Sequence, residues 1–530
     1  MSANDDLPRV GIPARLAGRM SMAEQHAWLR EKLTRRRVMR GAGLMAAGAA
    51  GLVAGSEASL GGARGGGAAP TPVRSRATVD GRHVAPFGRH LAFGADPRTQ
   101  LRISWQVPFA VRRPYVRIGL KPWDLGERVP ARVRPLRTPS LAPELPEVEQ
   151  LYLHAALDGL RPGTTYYYGV GHDGFDPASA ERIGTVGSFT TAPPAGGERP
   201  FVFTAFGDQG VGPDALAGNH LLLGQNPAFH LHAGDLCYAD GTGHGKKSDT
   251  YDARVWDQYL AQTEPVASRV PWMVTTGNHD MEAWYSPSGY GGQSARWFLP
   301  GNGPSPDEVP GIYSFRYGNA GVIALDANDV SHEIPANRGL TRGAQTRWLA
   351  RELERLRVAP GIDFVLVFFH HCAYSTATHG SDGGVREEWV PLFDRHRVDL
   401  VINGHNHVYE RTDPLRGGRA TRPLPIGEHT DPARDGTVYV TAGGGGRKLY
   451  EFASAPDSYE GHTEDRDEVG TVRWGPGKAA EKERAEWSRV RWTGFSLLAV
   501  ESRPGPRPAL SVTALARSGR RIDHFVVRRS

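Results

Sequence analysis

Five short apolar runs end in residue types that can bind metals. FVFTAF (201–206) runs into GDQG with Asp208, and AFHLHA (228–233) into GDLCY with Asp235 and Tyr238. PWMVTT (271–276) runs into GNHD with Asn278 and His279, DFVLVFF (363–369) into His370 and His371, and VDLVIN (398–403) into GHNH with His405 and His407. Apolar stretches of four to eight residues alternating with helical stretches predict a sheet covered on both faces, the α/β layered class. In such sheets the side chains leaving the C-terminal strand edge converge on one crevice, so the five ends should deliver carboxylates, an amide, a phenol and imidazoles to one rim. GD after a strand or a lone GNH is more often a turn, and a lone histidine is often a core residue. All five in order point to a metal site.

The mix of donors suggests two ions. Carboxylate and phenolate oxygens are hard anionic donors suited to a trivalent ion such as ferric iron, whereas amide oxygen and imidazole suit a divalent ion. One carboxylate can bridge two ions roughly 3.5–4 Å apart, the spacing that clamps both oxygens of an in-line phosphoryl displacement. A 3+/2+ pair against two carboxylates and one phenolate leaves about +2, and about +1 with a bound hydroxide, which attracts a phosphate ester.

These motifs, with GHNHVYER, resemble the five ligand motifs of the purple acid phosphatases, a branch of the calcineurin-like metallophosphoesterases. The resemblance implies a binuclear centre of Fe(III) and Zn, Mn or Fe(II). Asp208, Tyr238 and His407 would bind the ferric ion, Asn278, His370 and His405 the divalent ion, and Asp235 would bridge. His279 matches the family histidine that holds the phosphate or protonates the leaving group, and Asn278 would also face substrate. His379, in HHCAYSTATHGSD, matches one of a histidine pair in plant-like members, and Gly380 stands where the second would be. His371 reads as a loop or packing residue and Arg411 as a support for the GHNH loop. The glycine run in TAGGGGRKLY (441–450) lacks the ending of a nucleotide-binding P-loop and reads as backbone passing close to the rim. The implied activity is phosphomonoester hydrolysis by attack of a metal-bound hydroxide. The same metals serve a phosphodiesterase, and a surface binding protein with a vestigial hydrolase domain is a further alternative.

The rest of the chain has to position these residues. The 530 residues, with 66 Gly and 40 Pro, predict two to four domains. Residues 1–70 carry ten Arg/Lys against five Asp/Glu, so all but about one unit of the net charge of +6 lies there, and no nucleic-acid partner is implied. Within them TRRRVMR (34–40) precedes the uncharged GAGLMAAGAAGLVAG (41–55), too short and too rich in Gly and Ala to span a membrane stably. Arg35 and Arg36 with this run resemble a twin-arginine signal, which implies recognition of the precursor by that export machinery and a secreted, extracytoplasmic product. Residues 1–70 are thus signal and flexible linker.

LRISWQV, YVRIGL, EQLYLHAAL and TTYYYGVG alternate apolar and polar residues between turns, which predicts an antiparallel sandwich over 75–195. LDGLRPGTTYYYGVG resembles the later strands of a fibronectin III domain. The expected fold is therefore α/β: a fibronectin III-like β-sandwich, then a four-layer α/β/β/α metallophosphoesterase domain over 199–530 that closes with strands in 492–529. Trp348, Leu349, Leu353 and Leu356 share one face of a helix in 343–356. Residues 413–435 and 453–487 read as loops. Cys237 and Cys372 lie inside the motifs, and one disulfide or two buried thiols are equally open.

Overall fold

The alternation of residues 87–190 becomes two four-stranded antiparallel sheets. The computed structural model describes residues 79–529 except 141–144, 195, 198, 241–250, 283–284, 287 and 453–468, together with 24, 27 and 28. The twin-arginine stretch lies outside the described residues. One sheet orders β1 (Phe87–Phe93), β2 (Leu101–Val107), β6 (Val148–Leu157) and β5 (Arg132–Thr138). The other orders β4 (Glu127–Pro130), β3 (Tyr115–Gly119), β7 (Thr165–Gly171) and β8 (Gly187–Thr190). Ile103, Trp105 and Leu153 of one sheet meet Val116, Tyr168 and Phe189 of the other in one buried cluster.

Two seven-stranded mixed sheets follow. In the first, β9 (Phe201–Phe206), β10 (Phe229–His232) and β11 (Trp272–Val274) run parallel. The second begins with β12 (Tyr313–Tyr317), antiparallel to β13 (Ala320–Ala324). From β13 the sheet is parallel through β14 (Phe364–Phe369), β15 (Leu400–Asn403) and β17 (Val438–Ala442). It ends with β16 (Tyr409–Thr412) and β20 (Ser488–Trp492). The C-terminal strands β21 (Ser496–Arg503), β22 (Ala509–Ala516) and β23 (Arg521–Arg528) form a meander that extends the first sheet from β9, with the two-residue strand His429–Thr430 at its edge.

The central strands are buried on both faces because the layers are stacked. Phe364, Leu366 and Phe368 of β14 join Phe203 and Ala205 of β9 between the sheets. Val365, Val367 and Phe369 join the outer cluster with Leu349 and Leu353 of the amphipathic helix Ala344–Arg357. Phe206 and Trp272 meet Trp256 and Tyr259 of the helix Arg254–Ala267 in the same cluster. At roughly 1.5–3 kcal/mol per buried large apolar side chain, such strands hold their C-terminal residues firmly.

The segment 453–487, read as loop, holds a hairpin within its described part. Strands β18 (Val469–Gly475) and β19 (Ala479–Ala485) pair antiparallel, and β18 pairs parallel with Ser381–Asp382. The segment 413–435 likewise contains the two-residue pair Leu415–Arg416 and Arg419–Ala420 and a short helix, Pro432–Asp435. Among the described residues no helix is long and apolar enough to cross a membrane.

Candidate metal centre

Four of the seven proposed donors have left-handed backbone: Asp208 (φ 62°), Asp235 (φ 53°), Tyr238 (φ 56°) and His405 (φ 68°). Each costs a non-glycine residue roughly 1–2 kcal/mol, a strain that concentrates where side-chain direction serves function. Here it turns the side chains at the ends of β9, β10 and β15 toward one another.

All seven donors are at most 4% exposed and they interlock. The Tyr238 hydroxyl donates to Asp208 Oδ1 at 3.1 Å and lies 2.9 Å from His407 Nε2, which is itself 3.3 Å from Asp208 Oδ1. Asn278 Oδ1 lies 3.0 Å from His370 Nε2, and His405 Nδ1 lies 3.3 Å from that same nitrogen. Asp235 Oδ2 is 3.2 Å from His370 Nε2, and donor atoms of Asp208, Asp235 and His370 all fall within 4.8 Å of one another. The expected ferric trio and divalent trio are thus adjacent, with Asp235 against both. The far nitrogens are occupied: His370 Nδ1 meets Ala233 O at 2.8 Å and His407 Nδ1 meets Lys448 O at 2.6 Å. That leaves both Nε2 atoms for the centre.

The titration behaviour expresses surplus negative charge. Burial alone would lower the His370 imidazole, but the carboxylates of Asp235 and Asp208 hold it up at about 10. Burial, then Asp235 and Asp208, push the Tyr238 phenol far above its usual range. Burial opposes ionisation of Asp235, yet His370 and His279 keep it well below the usual carboxylate range. A pair of cations would neutralise this surplus, displacing the His370 proton and favouring the phenolate. Burial draws His405 down to about 4 despite the opposing pull of Glu333, so it is neutral, as a ligand must be. Hard donors on one side and amide and imidazole on the other therefore fit a mixed metal pair.

Residues 86–191 match the model of the purple acid phosphatase N-terminal domain, and residues 205–409 that of the calcineurin-like phosphoesterases. An uncharacterized protein of Mycobacterium tuberculosis is 36% identical over 396 residues, covering 69% of this chain and 71% of its own. The chain belongs to the purple acid phosphatase family. Purple acid phosphatase 23 of Arabidopsis thaliana is 31% identical over 310 residues, 55% of this chain and 62% of that protein. The purple acid phosphatase PPD1 of yellow lupin seeds shares the fold, with a TM-score of 0.63 over 84% of this chain and 75% of its own at 21% identity. The protein is accordingly a metal-dependent phosphoesterase of a family built on a binuclear centre.

Around the centre, the chain has partners that its motifs did not announce. His279 Nδ1 lies 2.5 Å from Asp240 Oδ2. Burial works against charge on His279, but Asp240 and Asp235 raise it to about 9. Asp280 accepts the backbone N–H groups of Asp235 (2.8 Å), Leu236 (2.9 Å) and Gly277 (2.9 Å), so it sets the bridging loop. Glu333 reaches both His379 and His405. Asp240 and Asp280 were within reach of sequence reasoning, beside Tyr238 and His279; Glu333 stands in a polar loop without a local signal.

Four smaller expectations meet the structure here. The glycine run does pass the rim: a Cβ on Gly443 would lie 2.1 Å from Asn406 O and 3.0 Å from Asp208 Oδ2. His371 is fully buried, with no hydrogen-bond partner for either ring nitrogen among the described residues, and its ring lies 4.6 Å from that of His405, a packing role. Arg411 does not support the GHNH loop: its guanidinium pairs with Asp523 of β23 at 2.5 Å and donates to Leu424 O at 2.9 Å, because its place on β16 points it at the C-terminal meander. Cys237 and Cys372 are two buried free thiols.

Gly380 departs from the plant-like pair for a steric reason. Its φ is +62°, and a Cβ there would lie 2.2 Å from Val472 O of the hairpin. The hairpin occupies the space, and Trp474 Nε1 donates to His379 O at 2.6 Å.

Proposed function

We propose that this protein is an exported phosphatase that hydrolyses small-molecule phosphomonoesters to inorganic phosphate. What supports this reading is the meeting of all seven donors with His279 and His379 at one rim. Asp208, Tyr238 and His407 would hold Fe(III), Asn278, His370 and His405 a divalent Zn, Mn or Fe, and Asp235 would bridge. When bound, such a pair polarises the phosphoryl group and supplies a nucleophile at a pH where free water is inert. Asp240 engages Nδ1 of His279, so Nε2 is the nitrogen left to hold a phosphate oxygen or to give a proton to the leaving alkoxide. General acid help of this kind is worth typically ~10²–10⁴-fold. Glu333 likewise engages Nδ1 of His379 and leaves Nε2 for substrate.

One observation favours a diesterase instead. Gly380 removes the second histidine of the plant-like pair, and with it a contact to the extra negative charge of a monoester. Turnover of p-nitrophenyl phosphate against bis(p-nitrophenyl) phosphate decides: monoester preference supports the proposal, and diester preference overturns it. Export rests on Arg35 and Arg36 ahead of the uncharged run. Changing both to Lys should strand the precursor in the cytoplasm, and unaltered export would contradict the twin-arginine reading.

A further inference from the structure

We propose that Glu333 is a positioning residue that selects Nδ1 of His405 as the donor to the divalent ion and ties that ligand to the substrate-side His379. The proposal rests on the metal-centre reading above. A neutral imidazole has one N–H and one lone pair, and only the nitrogen with the lone pair can bind metal. His405 Nδ1 lies 3.3 Å from His370 Nε2, the neighbouring donor, while His405 Nε2 lies 2.8 Å from Glu333 Oε2. A carboxylate at that distance accepts the Nε2 proton and so leaves the lone pair on Nδ1, facing the centre. Glu333 Oε1 takes Nδ1 of His379 at 2.6 Å, and the two imidazole rings lie 4.4 Å apart. One carboxylate therefore serves a ligand with one oxygen and a substrate-side histidine with the other.

The turn that carries Glu333 is itself held. Asp382 Oδ2 accepts the backbone N–H of Glu333 at 3.1 Å and of His332 at 3.0 Å, and the Ser331 hydroxyl at 2.7 Å. Glu333 is 8% exposed, so little water stands in for a lost partner. Glu333→Gln keeps the shape but has one neutral acceptor oxygen, so the charged acceptor behind His405 Nε2–H is lost and only one of the two histidines can still donate to it. Loss of such a carboxylate partner behind a ligand typically costs roughly 10–100-fold in metal affinity. Asp208, Tyr238 and His407 do not hydrogen-bond Glu333, so the ferric side should be unaffected.

The test is chelator competition on the purified protein, with iron and divalent metal counted by elemental analysis and the visible band recorded on the same samples. E333Q should lose the divalent ion at about 10–100-fold lower chelator than wild type while keeping iron and colour. His379→Ala should hold the divalent ion as wild type does, because Glu333 still fixes His405. Should E333Q be recovered without iron, Glu333→Asp carries the test, with the same expected loss, because its carboxylate is drawn back by one methylene. Equal divalent retention in wild type and the Glu333 variant overturns the proposal. So does a third equivalent of metal in wild type that the variant lacks, which would make Glu333 a ligand. Wild type that binds no divalent ion refutes the metal-centre reading instead.

Discussion

Placing histidine at position 380 would complete the plant-like pair, yet the structure requires that it harm the enzyme. A Cβ at 380 would lie 2.2 Å from Val472 O and 3.0 Å from Val472 C, both backbone atoms that cannot rotate away. Gly380 cannot retreat either, because its N–H donates to Ala377 O at 2.8 Å and its carbonyl accepts from Asn406 Nδ2 at 3.1 Å. A left-handed non-glycine residue and an overpacked contact together cost about 2–5 kcal/mol, so Gly380→Ala and Gly380→His should both melt lower than wild type. Relief requires the hairpin to move by roughly 1 Å, which drags Trp474 and the His379 carbonyl it holds; a misplacement of that size at a catalytic group costs of the order of 10²-fold. Scanning calorimetry, proteolysis at the hairpin turn Pro476–Lys478 and kcat/KM on p-nitrophenyl phosphate measure the three effects. Wild-type melting and wild-type kcat/KM in G380H would refute the steric account.

Tyr238→Phe removes the hydroxyl that lies 3.1 Å from Asp208 and 2.9 Å from His407; it should abolish the visible charge-transfer band, and a retained band would rule out a phenolate ligand. Asp235→Asn should cost both metals by elemental analysis, whereas full occupancy would deny the bridge. Glu282 pairs with Arg296 at 2.7 Å, both at most 1% exposed, and accepts from Trp256 Nε1 at 2.7 Å. Glu282→Ala leaves a buried guanidinium unpaired and should destabilise the protein by about 3–5 kcal/mol, read as a lower melting temperature; an unchanged one would contradict this.

Strand ends and the convergence of the polar residues after them were legible because each follows a largely buried run, and such runs are continuous in the sequence. The hairpin was not, since β19 is mostly exposed and its pattern is set by charge: Glu481 pairs with Arg473 and Glu483 with Arg386. Glu333 was hidden for another reason, as its two partners lie 46 and 72 residues away and no local spacing records them. Arg411 was misread because adjacency to GHNH along the chain says nothing about the strand face on which it lies.

The most direct measurement is anomalous diffraction from crystals of the metal-loaded protein. Two peaks roughly 3.5–4 Å apart are expected, one among Asp208, Tyr238 and His407, the other among Asn278, His370 and His405, with Asp235 between them. A single peak, or peaks away from these side chains, would contradict the account.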